Sequence, residues 1–362
     1  MKTDDPASAH GANERQTENV MQEFVDALPL PAVIVGGDER IEAANEGAIQ
    51  LFGAGIVGRH YITSFRQPIL LDAIEQILSD QETRQSQYIT SQARRDMTWA
   101  VHLAMLPRRG SLLITFEDQT AVEEAGTMRR DFVANVSHEL RTPLTALIGF
   151  IETLRGAAKN DPEAQARFLE IMDREAARMN RLVEDLMSLN RVEATERVRP
   201  SEMIDVSAVA RSVAHALEPL APERGMTIVR EALDDAVMLP GDADQLAQVF
   251  TNLVENALKY SGSGETVTIR LETVENHPMT RGPAAVVSVK DTGAGFDPSL
   301  IPRLTERFYR IDSHRSRELG GTGLGLAIVK HIINRHRGRL RIESTPGQGA
   351  DFAVILPIEG AR

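Results

Sequence analysis

Phe132-Val-Ala-Asn-Val-Ser-His-Glu-Leu-Arg-Thr-Pro-Leu-Thr145 is a stretch that sets one reactive side chain where a helix cannot bury it. Apolar or bend residues recur at Val133, Val136, Leu140, Pro143, Leu147, Phe150 and Leu154, alternating three and four apart, the seam of a helix packed in a bundle. With Val133 at heptad position a, His138 falls at f and points away from the seam. Imidazole can be a neutral nucleophile near pH 7, and an outward position admits a bulky phosphate donor and then a second protein. Glu139 is placed to hold the far ring nitrogen or take its proton. Thr142 follows one turn later on the same face, where its hydroxyl could position a water or a partner. Pro143 removes a backbone hydrogen bond at ~3 kcal/mol in an ordinary helix interior, so the spacing predicts a bend just past the histidine.

A lone outward histidine reads as a solvated surface residue, and here the neighbourhood decides otherwise. Ser137-His-Glu-Leu-Arg-Thr-Pro-Leu-Thr145 resembles the phosphoacceptor motif of sensor histidine kinases. The resemblance implies autophosphorylation of His138 by ATP, with Glu139 as base and Thr142 serving dephosphorylation of the partner.

The chain has 362 residues, room for two or three domains with cores of their own. Its 40 Lys and Arg stand against 52 Asp and Glu, and the net charge of -12 argues against nucleic acid as a partner. Cysteine is absent, which excludes disulfides, thiolate metal sites and cysteinyl-flavin photochemistry. The longest apolar run, Leu28 to Val35, falls far short of the ~20 residues that cross a bilayer. Residues 1–19 read as a disordered polar tail without a secretory core. A cytoplasmic chain is expected, its stimulus met inside the cell or passed on by a membrane partner at the inner face of the plasma membrane.

Residues 20–119 show short strands, turns and short helices. Pro31 to Asp38 reads as a strand ending in a tight turn, Ile41 to Asn45 as a strand entering a helix, and Trp99 to Leu106 with Ser111 to Phe116 as a hairpin. This order, with Asn45, Phe52, Gly53 and Gly58, resembles a small PAS sensor domain, either enclosing a ligand or packed shut. His60 and His102 read as satisfied or solvated histidines, since no second haem signature accompanies them.

Residues 120–197 form the second expected domain. One helix runs from Thr120 to about Gly156, a break spans 157 to 162, and a second helix reaches about Thr195 with Phe168, Met172, Met179, Leu182, Leu186 and Leu189 on its seam. Each stripe of this antiparallel hairpin can be only half covered by the other, so two chains should close a dimeric four-helix bundle, a homodimer. Residues 191 to 201, ending past Pro200, read as a linker.

In the third domain, 198–362, helices and strands alternate. Asp242-Ala-Asp-Gln caps a helix running to Tyr260, on which Asn252, Asn256 and Lys259 share one face. A carboxamide oxygen suits Mg²⁺, and Lys supplies a point charge to phosphate. Asp291-Thr-Gly-Ala-Gly-Phe follows the strand 284–290; a carboxylate fixed there can accept from an adenine amino group, and Gly293 and Gly295 let backbone pass close to a base. Gly320-Gly-Thr-Gly-Leu-Gly-Leu precedes a helix over 327–337, so its N-H groups can approach an anion. Alone, such a loop is also an ordinary turn, and it lacks the Gly-Lys-Thr/Ser of a Walker loop.

In this order the three clusters resemble the GHKL ATP-binding fold shared by histidine kinases, gyrase, MutL and Hsp90 chaperones. The resemblance implies an α/β sandwich binding ATP and Mg²⁺. Asn256 would hold the metal, Asp291 read adenine, and Gly293, Gly295, Gly321, Gly323 and Gly325 shape the pocket, with Thr322 and Leu324 between them. Lys259, Tyr260 and Arg310 would touch phosphates or ribose, and 297–319, containing Phe308-Tyr309-Arg310, matches the mobile lid. Where ATPase relatives carry a water-activating glutamate this chain has Asn252, an amide that cannot act as base at neutral pH. Glu255 lies about 100 degrees round the helix from Asn256 and is a poor substitute.

The whole reads as a multidomain α+β sensor histidine kinase passing phosphate from His138 to an aspartate on a separate response regulator receiver domain. Residues 132–147 and Gly149-Phe-Ile-Glu-Thr-Leu154 are most similar to phosphate-regulon sensor kinases, which implies phosphate-starvation signalling through a transporter-associated partner. Those kinases usually carry transmembrane helices, unlike this chain. The rival readings are a GHKL ATPase motor, which Asn252 disfavours, and a catalytically silent PAS scaffold, which the intact nucleotide clusters disfavour.

Overall fold

The computed structural model describes residues 20–92, 95–106, 110–262, 264–312 and 321–358. The expected tail and the 313–319 part of the expected lid lie outside them, as does Gly320. Two compact units divide the chain, Met1–Val133 and Ala134–Arg362. No helix among the described residues is long and apolar enough to cross a membrane.

In the first unit a five-stranded antiparallel sheet has the order β2-β1-β5-β4-β3, with β1 Ala32–Val35, β2 Ile41–Ala44, β3 Arg84–Gln92, β4 Arg95–Leu106 and β5 Ser111–Asp118. Helix α1 (20–26) lays Met21 and Val25 against Ala32, Ile34 and Ala43 on one face. The other face carries α2 (Glu46–Phe52), α3 (Tyr61–Phe65) and α4 (Pro68–Asp80), whose Leu70, Ile74 and Ile77 pack with Val33, Val35, Leu103 and Ile114. Period-two alternation makes this possible, since successive β1 side chains serve opposite cores. Phe52 seals the second core, its ring 4.9 Å from Phe116, 5.2 Å from Phe65 and 5.4 Å from Tyr88.

Asn45 is buried and fully used. Its Oδ1 accepts from the Ala32 and Ala48 amides, both at 3.0 Å, while Nδ2 donates to Leu30 O at 2.8 Å and Val25 O at 3.1 Å. One side chain therefore caps α2 and ties α1, β1 and β2 together. His60 caps α3 and lies 3.0 Å from Glu39; His102 lies 3.7 Å from Glu117. His60 is thus satisfied and His102 partly solvated, within the expected alternatives.

Helix α5 (Thr120–Arg155) continues into the second unit, and the helix runs unbroken through the buried Pro143. The Thr142 hydroxyl donates to His138 O at 3.2 Å beside the proline. Asp161 caps α6 (Pro162–Thr195) by accepting from Ala164 at 3.0 Å, and Pro162 takes the first turn, where a missing N-H costs nothing. The hairpin is closed at this end by the Phe150 and Phe168 rings, stacked at 5.4 Å. Helix α6 runs to Thr195, so 191–195 belong to it and not to the expected linker.

Beyond come β6 (Met203–Asp205), α7 (Val206–Leu217), α8 (Leu220–Glu223), β7 (Thr227–Glu231), β8 (Met238–Pro240) and α9 (Ala243–Tyr260). Then follow β9 (Thr266–His277), β10 (Gly282–Asp291), a 3-10 turn at Pro298–Arg303, α10 (Gly325–Arg335), β11 (Arg339–Ser344) and β12 (Ala350–Pro357). The main sheet has the order β11-β12-β10-β9-β7, antiparallel except for the β7 and β9 pair. Helix α9 buries Leu246, Val249, Phe250, Leu253 and Val254, and α10 buries Ile328, Val329, Ile332 and Ile333, so two amphipathic stripes cover the sheet.

Candidate functional site

His138 is exposed on α5, as its heptad position requires. Glu139 behaves otherwise than expected of a group poised on the imidazole. Its carboxylate receives Arg178 of α6 at 2.9 Å and Arg310 at 3.1 Å. Arg310 keeps only 6% of its side chain exposed, also donates to Thr322 O at 2.7 Å, and leaves its Nε buried without a partner among the described residues. In this arrangement Arg310 serves a carboxylate and the glycine loop.

A second tie runs from that loop to α6. The Thr322 hydroxyl donates to Asp185 at 2.6 Å. Burial pushes the Asp185 carboxyl above its ordinary range, against the hydrogen bond from Thr322 and the nearby Lys259 ammonium, which pull it down. Lys259, expected to face phosphate, lies 2.6 Å from Glu255 one turn back on α9, and its approach to an anion means exchanging that pair. Further along α6, Arg307 meets Glu193 at 2.5 Å, and the Ser188 hydroxyl donates to Gln248 at 3.0 Å.

These ties enclose a cavity of about 440 Å³. Asn252, Asn256, Lys259, Tyr260, Asp291, Gly295, Arg310, Gly321, Thr322, Gly323 and Gly325 all line it, so eleven of the nucleotide candidates converge. Gly293 and Leu324, both buried, do not line it. The other wall comes from Arg181, Glu184 and Asp185 of α6, which no motif announced. Asp185 had one available signal: a carboxylate set between Leu182 and the seam residues Leu186 and Leu189, where a helix facing only its hairpin partner would carry no acid.

Asp291 ends β10 and is buried; its Oδ1 accepts from Gly293 N at 2.9 Å, and burial raises its carboxyl despite that bond. Two glycines fix its position by close backbone crossing. A Cβ on Gly349 (φ +83) would lie 1.9 Å from Asp291 O, and one on Gly295 (φ +59) 2.2 Å from Thr345 O. Gly295 thus serves the crossing of two loops, a different reason from passing near a base. Gly323 (φ +77) backs onto Phe308, whose amide donates to Gly323 O at 2.8 Å. The chain leading to Arg310 is thereby stitched to the glycine loop.

A magnesium nucleotide suits this donor set. Asn252, Asn256, Lys259 and Arg310 line the cavity, two amides and two cations of the kinds that bind oxygen anions, and Asn252 Nδ2 and Arg310 Nε are buried with no acceptor among the described residues. No cluster of three His, Cys, Asp or Glu able to cage a metal occurs among the described residues.

Comparisons with known proteins agree with this layout. Residues 128–195 match the His Kinase A phospho-acceptor domain, and 241–360 match the histidine kinase-, DNA gyrase B- and HSP90-like ATPase family. The phosphate regulon sensor protein PhoR of Pseudomonas aeruginosa is 37% identical over 92% of this chain and 73% of its own length. Sensor protein kinase WalK of Staphylococcus saprophyticus is 32% identical over 96% of this chain, which spans 56% of that protein. Among solved structures, histidine kinase ThkA in complex with response regulator protein TrrA shares the fold at a TM-score of 0.51 and 21% identity, over 93% of this chain and 98% of that one. With a phosphoacceptor hairpin, an ATPase-type domain and a relative matched along most of both lengths, the chain belongs to the sensor histidine kinases.

Proposed function

We propose that this kinase phosphorylates its own His138 from MgATP and passes the phosphoryl group to an aspartate of a separate response regulator. The observation that carries the reading is the cavity, walled on one side by nucleotide-type residues of α9, β10 and the glycine loop and on the other by α6 of the hairpin that bears His138. Nucleotide site and acceptor helix thus belong to one unit. Asn256 would hold Mg²⁺ and Asp291 the adenine amino group; the bound metal would neutralise phosphate charge. A ring nitrogen of His138 attacks the terminal phosphorus, the bond to the ADP oxygen breaks, and Glu139, once freed of its arginines, accepts the ring proton. Asn252 offers a donor and no base, which favours transfer over hydrolysis.

The first unit's strand order, with α2, α3 and α4 together on one face of the sheet, supports a PAS-like sensor. Leu144, Ile148 and Ile151 on α5, with Leu169, Val183 and Met187 on α6, are exposed in the single chain, which supports a homodimer closing a four-helix bundle. Phosphate-starvation input follows the Pseudomonas relative, and a transporter-associated partner rests on that resemblance alone.

The test is incubation with ATP labelled on its terminal phosphate. Acid-labile, alkali-stable label on the protein, lost in His138→Ala and in Asn256→Ala, is expected. Label that persists in His138→Ala, or steady ATP hydrolysis with no phosphoprotein, overturns the reading.

A further inference from the structure

The turn from α10 into β11 carries an arginine at every second position, Arg335, Arg337, Arg339 and Arg341, in a chain of net charge -12. Two are answered: Arg335 lies 3.0 Å from Asp242 and Arg341 3.3 Å from Glu343. Arg337 and Arg339 are exposed and donate only to backbone, to Arg197 O at 3.4 Å and to Gly338 O at 2.9 Å, with no carboxylate partner among the described residues. Arg197, arriving from the end of α6, also lacks a carboxylate partner among the described residues. Nearby, Arg199 has Nε and Nη2 buried with no acceptor among the described residues.

Arg197, Arg337 and Arg339 surround a hollow of about 480 Å³ with Asn334 and Glu196. The acid does not answer the arginines. Its oxygens are taken by His331 at 2.8 Å and by Asn334 at 3.0 Å. Three arginines and one carboxylate line the concavity, so positive charge is in excess there and an entering anion would relieve the repulsion among the guanidiniums. Planar guanidinium forks match phosphate oxygens two at a time, and a hollow of this volume suits a small ligand better than the flat face of a protein.

We infer that this hollow binds a small phosphate-bearing anion of two or more charges, separate from the nucleotide cavity, at the joint between α6 and the nucleotide domain. One wall is Arg197 at the end of α6, the other is Arg337 and Arg339 beyond α10. An anion touching both stabilises the arrangement in which they face each other, by the free energy of its own binding. The same joint is already held by Glu196 with His331 and by Arg335, which donates to Val198 O at 3.0 Å. Free phosphates and lipid headgroups share the chemistry and differ in the surface they come from.

The test is titration of the full chain with pyrophosphate, and separately with vesicles carrying phosphatidic acid, whose phosphomonoester headgroup can bear two charges, against neutral phosphatidylcholine ones. The variant pair is Arg337→Asn with Arg339→Gln, since Asn tolerates the left-handed backbone of residue 337 (φ 57). Arg341→Gln serves as the charge control, and unchanged urea midpoints show that the variants fold. Binding that is weakened at least tenfold in the pair, falls with added salt and is retained in Arg341→Gln and in Asn256→Ala is expected; pyrophosphate or vesicles giving it names the source. Anion binding lost in Asn256→Ala but kept in the pair places the anion in the nucleotide cavity and overturns the inference, leaving the kinase reading intact. Absence of binding to either probe overturns it, as does sensitivity of the pair seen only with a receiver domain, which makes the surface a protein contact.

Discussion

Arg310 and Glu139, 171 residues apart in the chain, meet at 3.1 Å. The acid beside His138, the proposed phosphoacceptor, is thus held by an arginine that lines the nucleotide cavity. Phosphate oxygens compete with a carboxylate for the same guanidinium, so nucleotide entry and release of Glu139 are two sides of one exchange.

Glu139→Gln tests that exchange. Gln can still accept from Arg178 and Arg310 but cannot take a proton at neutral pH. Phosphorylation of His138 should fall about 100-fold or more, the contribution of a positioned base, while nucleotide affinity stays within about threefold. Rapid-quench labelling beside equilibrium nucleotide binding measures both; unchanged labelling would reduce Glu139 to a partner for the arginines.

Thr142→Ala removes a hydroxyl whose bond to His138 O at 3.2 Å is not required to keep the helix. Label on His138 should form at near the parent rate. Loss of phosphate from the response regulator should slow about tenfold, read from the decay of labelled regulator in the presence of the variant.

Ile148→Asp places a charge on the apolar face that α5 shows to solvent in the single chain, where Ile148 is 51% exposed. The monomer fold should tolerate it, because the residue is already in contact with water. Light scattering after gel filtration should show a dimer for the parent and a shift of at least tenfold toward monomer for the variant.

Gly349→Ala should cost about 3 kcal/mol or more in urea unfolding, because φ is +83 and the new Cβ would lie 1.9 Å from Asp291 O. Nucleotide affinity should fall with it, since Asp291 is displaced. Gly347→Ala (φ +80), with nothing near its Cβ, carries the backbone strain alone and should cost about 1 kcal/mol.

His336 predicts a pH effect. It is buried; its Nε2 accepts from Asp242 N at 3.0 Å and its Nδ1 lies 2.8 Å from Ile332 O, so the neutral ring with hydrogen on Nδ1 satisfies both. Burial holds its pKa below the ordinary value, with Arg335 and Arg199 adding to the effect, Asp242 opposing it and the Ile332 bond raising it. The unfolded chain therefore binds the proton first. Stability from this group is full above the unfolded value of about 6.5 and is lost as pH falls toward the lower folded value. Urea midpoints should drop between pH 7.5 and 5.5, and His336→Gln should flatten that part of the profile.

The hairpin and α9 were legible because spacing of three and four is a local property, and Asp242 announced its helix as a cap. The convergence of α9, β10 and the glycine loop on one cavity was legible for a similar reason, since Asn252, Asn256, Asp291 and Gly323 lie in compact motifs. Strand β3 was not: Arg84–Gln92 is mostly polar and owes its place to pairing with β4. Strands β11 and β12 likewise take their register from each other and from β10. Least visible were Arg178 and Asp185, single charges on a seam helix, whose partners Glu139 and Thr322 lie 39 and 137 residues away.

The shared wall of the nucleotide cavity has a pharmacological consequence. Arg181 and Asp185 lie in the phospho-acceptor match and outside the match to the ATPase family shared with DNA gyrase B and HSP90, so a compound that fills the Asp291 end and extends to them would touch a wall that the shared ATPase part does not supply. Selectivity between the two groups can be sought on that side of the cavity, leaving the Asp291 end to supply affinity.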